Sequence, residues 1–161
     1  MTLKALLFSF LALSVFTVKD TLPSVEVNTF DGEAVNIKDY TANGKIQLVS
    51  LWATWCGPCK QELNALHKVY PDWKEKYDVE IIAITLDNAR MVKRAEAMAE
   101  RESWPYTFFT DTEGVLAGNL GVRGIPYSML VDAEGNIVST SEGYYSGYEA
   151  DMEKKIQKLV K

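Results

Sequence analysis

Apolar residues follow two kinds of short pattern along the chain, an alternation with polar residues and an uninterrupted run. The alternation occurs in residues 24–38, where Asp31-Gly32 separates two alternating stretches and predicts an N-terminal β-hairpin. Uninterrupted apolar runs are typical of strands that are buried on both faces. The strands predicted beyond this hairpin are residues 46–52, 79–85 and 106–110, followed by a second hairpin of residues 127–131 and 137–140.

Helical spacing of apolar residues begins after position 56 and recurs near the end of the chain. The residues at that spacing after position 56 are Leu63, Leu66, Val69 or Tyr70, and Trp73. Pro71 lies among them and is expected to kink or restart the helix, because proline lacks the backbone donor and clashes with the preceding turn. Further helices are predicted for residues 89–101, for a short segment after residue 114, and for a closing amphipathic segment that carries Met152 and Ile156.

Strands that alternate with helices and end in a hairpin and a helix predict an α/β fold. We expect a mixed central sheet flanked by helices, with the N-terminal β-hairpin as an extension. At 161 residues, 47% of them apolar, the chain has the size and composition of one folded domain, which we place at residues 19–161. The net charge of −5 and the lack of a basic cluster argue against a nucleic-acid partner.

Residues 1–18 have the pattern of an export signal. Lys4 is followed by an apolar run, residues 5–16, with no charge before Lys19. That run is shorter than the roughly 20 residues of a membrane span but suits the core of a signal peptide. We therefore expect an exported protein, and an uncleaved membrane anchor remains open as the alternative.

The two cysteines, Cys56 and Cys59, are separated by only two residues. A disulfide that closes such a short loop stabilises a fold very little, because it removes little entropy from the unfolded chain. A cysteine at a helix N-terminus, in contrast, is favoured as the reactive thiolate. Cys56 is therefore expected to be exposed, with a lowered pKa, as the nucleophile, and Cys59 to be the resolving thiol. Pro58 suits the first helical turn, and Gly57 leaves room for a partner chain.

Two other readings of the cysteine pair are weaker. A structural zinc site needs four ligands, and beyond the two thiolates the chain adds only its single histidine, His67. An unreactive thiol pair does not require Trp55, Gly57 and Pro58 at fixed offsets. We therefore expect no metal and no cofactor, the redox-active group being the Cys56–Cys59 disulfide itself.

The run Trp55-Cys56-Gly57-Pro58-Cys59-Lys60 is the motif of thioredoxins. The wider pattern more closely resembles the exported TlpA/ResA-like thiol-disulfide oxidoreductases, over about residues 24–143. The features that carry this resemblance are the N-terminal hairpin and residues 52–55, 59–63, 81–87, 121–126 and 130–135. The resemblance implies a thioredoxin fold and thiol–disulfide exchange, and it leaves the substrate unspecified.

The resemblance also implies a substrate-binding surface beside the dithiol. Pro126 matches the cis-proline of the family, next to which the Ile125 backbone can pair with an extended substrate strand. An ordinary loop proline is the alternative. Trp55 is expected to border the dithiol and to contact substrate together with Gly57 and Pro58.

Glu62 stands three residues after Cys59, where TlpA/ResA-like proteins carry a glutamate. Positions i and i+3 of a helix share a face, so the resemblance implies a partly buried carboxyl group that has a raised pKa and relays a proton to or from Cys59. Thioredoxin itself has a buried aspartate in the strand before the motif, at the position of Ser50 here. The alternative for Glu62 is a first-turn residue that complements the helix dipole.

The resemblance implies an enzyme that reduces disulfides of exported proteins, such as apocytochrome c, in the periplasm or another extracytoplasmic space. A membrane partner would supply the electrons for this role in cytochrome c biogenesis. A disulfide oxidase or isomerase, and a non-catalytic binding module on the same scaffold, remain open. A peroxidase of the peroxiredoxin kind is disfavoured, because its cysteine stands alone in a different motif.

Overall fold

The computed structural model describes residues 20–160, which form one mixed sheet with helices on both faces. The predicted signal peptide or anchor, residues 1–18, lies outside the described residues. Within residues 20–160, no helix is both long enough and apolar enough to cross a membrane.

Seven strands of the described chain pair in the order β2-β1-β5-β4-β3-β6-β7. The central strands β3, β4 and β5 are parallel, whereas β6 pairs antiparallel with both β3 and β7. The predicted N-terminal hairpin is β1–β2, which joins the sheet where β1 pairs antiparallel with β5. The strands are β1 Glu26–Asn28, β2 Ala34–Asn36, β3 Gln47–Trp52, β4 Glu80–Thr85, β5 Thr107–Thr110, β6 Tyr127–Val131 and β7 Ile137–Glu142.

Five α-helices of the described chain cover the sheet, and two of them differ from the sequence prediction. The helices are α1 Ile37–Thr41, α2 Gly57–Tyr77, α3 Val92–Arg101, α4 Val115–Asn119 and α5 Tyr148–Leu159. The predicted restart at Pro71 is wrong, because α2 continues through this proline without a break. Helix α1 was not predicted; it begins where the Asn36 side chain accepts hydrogen bonds from the backbone N–H groups of Lys38 and Asp39.

The alternation of side chains along β3 divides the core between the two faces of the sheet. Leu48 and Trp52 belong to the apolar cluster on the face covered by α2, α3 and α5. Val49 and Leu51 belong to the cluster on the opposite face, which α1 and α4 cover. Since side chains alternate along a strand, Ser50 points to the same face as Leu48 and Trp52, towards α2.

Candidate active site

The two cysteines lie where β3 passes into α2, and they form a disulfide bond with each other. Cys56 occupies the N-cap position of α2, with an extended backbone. The backbone N–H of Cys59 donates a hydrogen bond to Sγ of Cys56 across 3.2 Å. Gly57 and Pro58 form the exposed start of the helix, as predicted, where a proline loses no intrahelical hydrogen bond.

The dithiol is more enclosed than the sequence suggested. The expectation that Cys56 is exposed is wrong for the disulfide form, because only 5% of Cys56 and none of Cys59 is accessible to solvent. Sγ of Cys56 lies 3.7 Å from the carbonyl oxygen of Ile125, so the loop before β6 covers one side of the sulfur. Its neighbour Trp55 is 70% exposed and forms the open border of the site.

The loop opposite the dithiol contains a cis peptide bond between Ile125 and Pro126, which agrees with the expectation from family resemblance. Pro126 is buried and Ile125 is half-buried. The backbone N–H of Gly143, just after β7, donates a hydrogen bond to the Pro126 carbonyl oxygen across 2.8 Å. The last hairpin of the sheet therefore helps to hold this loop against Cys56.

Open space surrounds the first residue of α2. A Cβ atom built on Gly57 would meet no described atom within 4 Å beyond its immediate surroundings in the chain. Together with the exposed Trp55 and Pro58, this space leaves the outer side of the motif accessible to another polypeptide.

A buried carboxylate, Asp87, fastens the loop that leads into the motif. The Thr54 backbone N–H and hydroxyl donate to its two carboxylate oxygens across 2.8 and 2.9 Å, and the Thr85 hydroxyl donates across 2.7 Å. The neighbouring Asn88 has a different role, because its side chain accepts a hydrogen bond from the Arg90 backbone N–H at the start of the following helical turn. Because β3 and β4 are parallel neighbours, their carboxyl ends meet at one edge of the sheet, which brings Asp87 next to Thr54.

Glu62 lies in the second turn of α2 and is completely buried. The reading of Glu62 as a first-turn complement to the helix dipole is therefore wrong. Its Oε1 atom accepts hydrogen bonds from the Ser50 hydroxyl across 2.8 Å and from the Ser128 hydroxyl across 2.7 Å. Its Oε2 atom is also buried and has no hydrogen-bond partner among residues 20–160.

Burial raises the pKa of Glu62 to about 7, even though the hydrogen bonds from Ser128 and Ser50 act to lower it. The negative charge of Glu149 contributes to the rise. A carboxyl group with such a pKa can both hold and release a proton near neutral pH. Sequence reasoning missed Ser128 and noted Ser50 only as a departure from thioredoxin; a serine within each of two adjacent apolar strands was the available signal.

His67 is half-buried on α2, and within residues 20–160 its side chain makes no hydrogen bond to either cysteine. In the described part of the chain, no three His, Cys, Asp or Glu side chains are grouped so that they could hold a metal ion.

Fold and site define the class: a thioredoxin-fold thiol-disulfide oxidoreductase in which Cys56 and Cys59 form a disulfide bond. The family model described as the AhpC/TSA family matches residues 18–140, and the chain belongs to that family.

Three relatives illustrate the similarity. The thiol-disulfide oxidoreductase ResA of Bacillus thuringiensis subspecies konkukian is 29% identical over 121 residues, which are 75% of this chain and 67% of ResA. The solution structure of an uncharacterized thioredoxin-like protein from Porphyromonas gingivalis is 33% identical, with a TM-score of 0.78, and the match covers 86% of this chain and 91% of that one. A thiol:disulfide interchange protein from Chlorobium tepidum shows the same fold at 22% identity, with a TM-score of 0.70 and coverage of 90% and 99%.

Proposed function

We propose that this protein reduces disulfide bonds of exported proteins by dithiol–disulfide exchange. The observation that carries the proposal is the Cys56–Cys59 disulfide at the start of α2, facing the Ile125–Pro126 loop and placed on the same helix as the buried Glu62. Gly-Pro between the cysteines favours the reducing direction, because it resembles thioredoxin at about −270 mV more than DsbA at about −120 mV.

The reaction begins with the reduced protein. The Cys56 thiolate attacks one sulfur of a substrate disulfide, that S–S bond breaks, and the released substrate thiolate takes a proton from solvent. Glu62 then accepts the proton of the Cys59 thiol, and Sγ of Cys59 attacks Sγ of Cys56. The second substrate thiolate leaves, the Cys56–Cys59 disulfide forms, and two electrons have passed to the substrate.

The substrate is proposed to bind as an extended segment across the open side of the dithiol. Trp55 offers an exposed aromatic surface, and the space in front of Gly57 and Pro58 lets a polypeptide approach the sulfur atoms. The backbone of Ile125, beside Cys56, can pair with such a segment by strand addition.

An extracytoplasmic location completes the proposal. Residues 1–18 would direct export, or anchor the domain at the membrane, and a membrane dithiol protein would return the Cys56–Cys59 disulfide to the reduced state. Apocytochrome c is the substrate candidate that the resemblance to TlpA/ResA-like proteins supports. Processing and location can be checked by fractionating cells that express the full chain and measuring the mass of the exported form.

The function is tested by trapping its covalent intermediate. In Cys59→Ser the mixed disulfide at Cys56 cannot be resolved, so we expect the variant to accumulate linked to disulfide-containing partners, which a reductant releases. Cys56→Ser is the matched control and should trap nothing. Equal trapping by both variants, or retained function in Cys56→Ser, would support a non-catalytic binding module.

The direction of exchange is tested by equilibrating the dithiol with glutathione buffers. We expect a reduction potential near the thioredoxin value of about −270 mV. A value close to the DsbA range of about −120 mV would instead assign the protein as an oxidase or isomerase while leaving its fold and cysteine pair unchanged.

A further inference from the structure

Ser50 and Ser128 are direct cross-strand neighbours on the central sheet. Strands β3 and β6 are antiparallel, and their register places Ser50 opposite Ser128. Side chains of directly opposed residues project from the same face of the sheet, with Cβ atoms only about 5 Å apart. Two hydroxyl groups can therefore reach a single acceptor atom above the sheet, and that atom is Oε1 of Glu62.

The two oxygen atoms of the Glu62 carboxyl group are consequently unlike. A carbonyl-type oxygen has two lone pairs, and both are engaged at Oε1 when the two serine hydroxyls donate to it. Oε2 is buried and accepts no hydrogen bond within residues 20–160. A proton on Glu62 therefore finds a free site at Oε2 and none at Oε1.

We propose that Ser50 and Ser128 are positioning residues that confine the exchangeable proton of Glu62 to Oε2. The inference rests on the proposed function, in which Glu62 takes the proton of Cys59. Glu62 and Cys59 stand at positions i and i+3 of α2, so they share a face of the helix. The serines thus fix the carboxyl group by one oxygen and leave the other to act as acceptor and donor.

The same two hydrogen bonds lower the pH at which Glu62 ionises. They stabilise the carboxylate and oppose the effect of burial, which raises the pKa of this group. The other ionisable groups that interact with it are Glu149 and Tyr148 on α5, Tyr144 in the preceding loop and Tyr106 beside β5. Burial raises the pKa of each of these three tyrosines, so all three are neutral near pH 7.

Infrared spectroscopy of the oxidised protein can test the assignment without substrate. The C=O stretch of protonated Glu62 is identified as the band absent from Glu62→Gln. If the proton is on Oε2, the carbonyl oxygen is Oε1 and accepts two hydrogen bonds. Its band should therefore move to higher frequency in Ser50→Ala and in Ser128→Ala. In each variant the acid dissociation constant of Glu62 should fall roughly tenfold, because one hydrogen bond to the charged form is lost.

Two further variants separate this role from a general packing effect. Ser128→Thr keeps the hydroxyl and should restore both the band position and the dissociation constant. Ser141 lies opposite Ser128 on β7 and makes no hydrogen bond to Glu62 within residues 20–160. Ser141→Ala should therefore change neither the band position nor the dissociation constant. A band that stays in place in both Ser50→Ala and Ser128→Ala would overturn the proposal, since it would put the proton on Oε1.

Turnover provides the separate test of the function on which the inference rests. The pH profile of disulfide reduction should shift in Ser50→Ala and Ser128→Ala in step with the infrared titration. If turnover is absent in the native protein while the band shifts appear, the reductase function fails and the placement of the proton stands. If turnover occurs and its profile does not follow the titration, the positioning role in exchange is overturned.

Discussion

Glu62 shows how one buried side chain connects chemistry with stability. It lies inside the core on the face of the sheet covered by α2, where an ionised carboxyl group is poorly solvated. The two serine hydroxyls reduce this penalty without removing it, and the pKa of about 7 is the balance between the two effects. A group useful for proton transfer near neutral pH is therefore also a source of instability there.

We predict that the stability contributed by Glu62 decreases with rising pH. The pKa is raised from 4.5 in the unfolded chain to about 7 in the folded protein, so the folded state binds more protons between these values. The contribution is complete below about pH 4.5 and is lost above about pH 7, with a total change of about 3 kcal/mol. Glu62→Gln should abolish this dependence of the free energy of unfolding on pH, which is measured by urea unfolding of the oxidised protein at pH 5 and pH 8. Glu75→Gln, on the exposed side of α2, is the control; equal slopes in native protein and Glu62→Gln would contradict the prediction.

We predict that Asp87→Ala destabilises the protein by about 3 kcal/mol. The substitution leaves the Thr54 backbone N–H and the Thr54 and Thr85 hydroxyls without their buried acceptor. Exchange with a small disulfide should also slow, since the loop before Cys56 loses its attachment to the end of β4. Denaturant unfolding and stopped-flow kinetics measure the two effects. Asp87→Asn keeps one acceptor oxygen, so its free energy of unfolding should fall between those of Asp87→Ala and the native protein. A stability loss below about 1 kcal/mol in Asp87→Ala would contradict the stabilising role of these hydrogen bonds.

At the scale of elements, the sequence was most informative where a pattern is local. Buried apolar runs identified the central strands, and the Cys56–Cys59 motif identified the start of α2. Helix α1 was missed because a five-residue helix has almost no periodicity, although Asn36 before Ile37 is a capping signal. The Ser50–Ser128 pair depends on the register of β6 against β3, which residues far apart in the chain determine together. Local patterns cannot supply that register.

Helix α2 retains a residue that works against it. Pro71 is exposed inside the helix, where it cannot donate to the carbonyl oxygen of His67 one turn earlier. We predict that Pro71→Ala raises the free energy of unfolding by about 1 kcal/mol, since it restores a helical hydrogen bond while losing the stiffness of proline in the unfolded chain. Thermal and urea unfolding measure the change. Glu75→Ala, an exposed change in the same helix, should have a much smaller effect, and a destabilised Pro71→Ala would show that the proline supports the helix.

At the scale of the whole molecule, we expect the fold to be independent of the redox state of its cysteines. Both faces of the sheet carry an apolar cluster with large, fully buried side chains, such as Trp52 and Trp73 on one face and Leu51 on the other, so the domain has an extensive core besides the disulfide. This independence suits a protein that is proposed to alternate between dithiol and disulfide during every cycle.

We predict that reducing the Cys56–Cys59 disulfide changes the free energy of unfolding by no more than about 2 kcal/mol. The bond joins residues three positions apart, and closing so short a loop removes little entropy from the unfolded chain. Urea unfolding with and without a reductant measures the difference, and circular dichroism should show that the secondary structure persists. Loss of the folded state on reduction would contradict the prediction and make the bond a structural one.

The distribution of the four tryptophans gives the protein an intrinsic fluorescence probe of the proposed substrate-binding side of the dithiol. Trp52, Trp73 and Trp104 are enclosed in the core, whereas Trp55 stands in solvent directly before Cys56. A soluble quencher such as acrylamide should therefore extinguish mainly the emission of Trp55, and a polypeptide seated over the sulfur atoms should protect it. Occupancy of the site can in this way be followed on the unlabelled native chain.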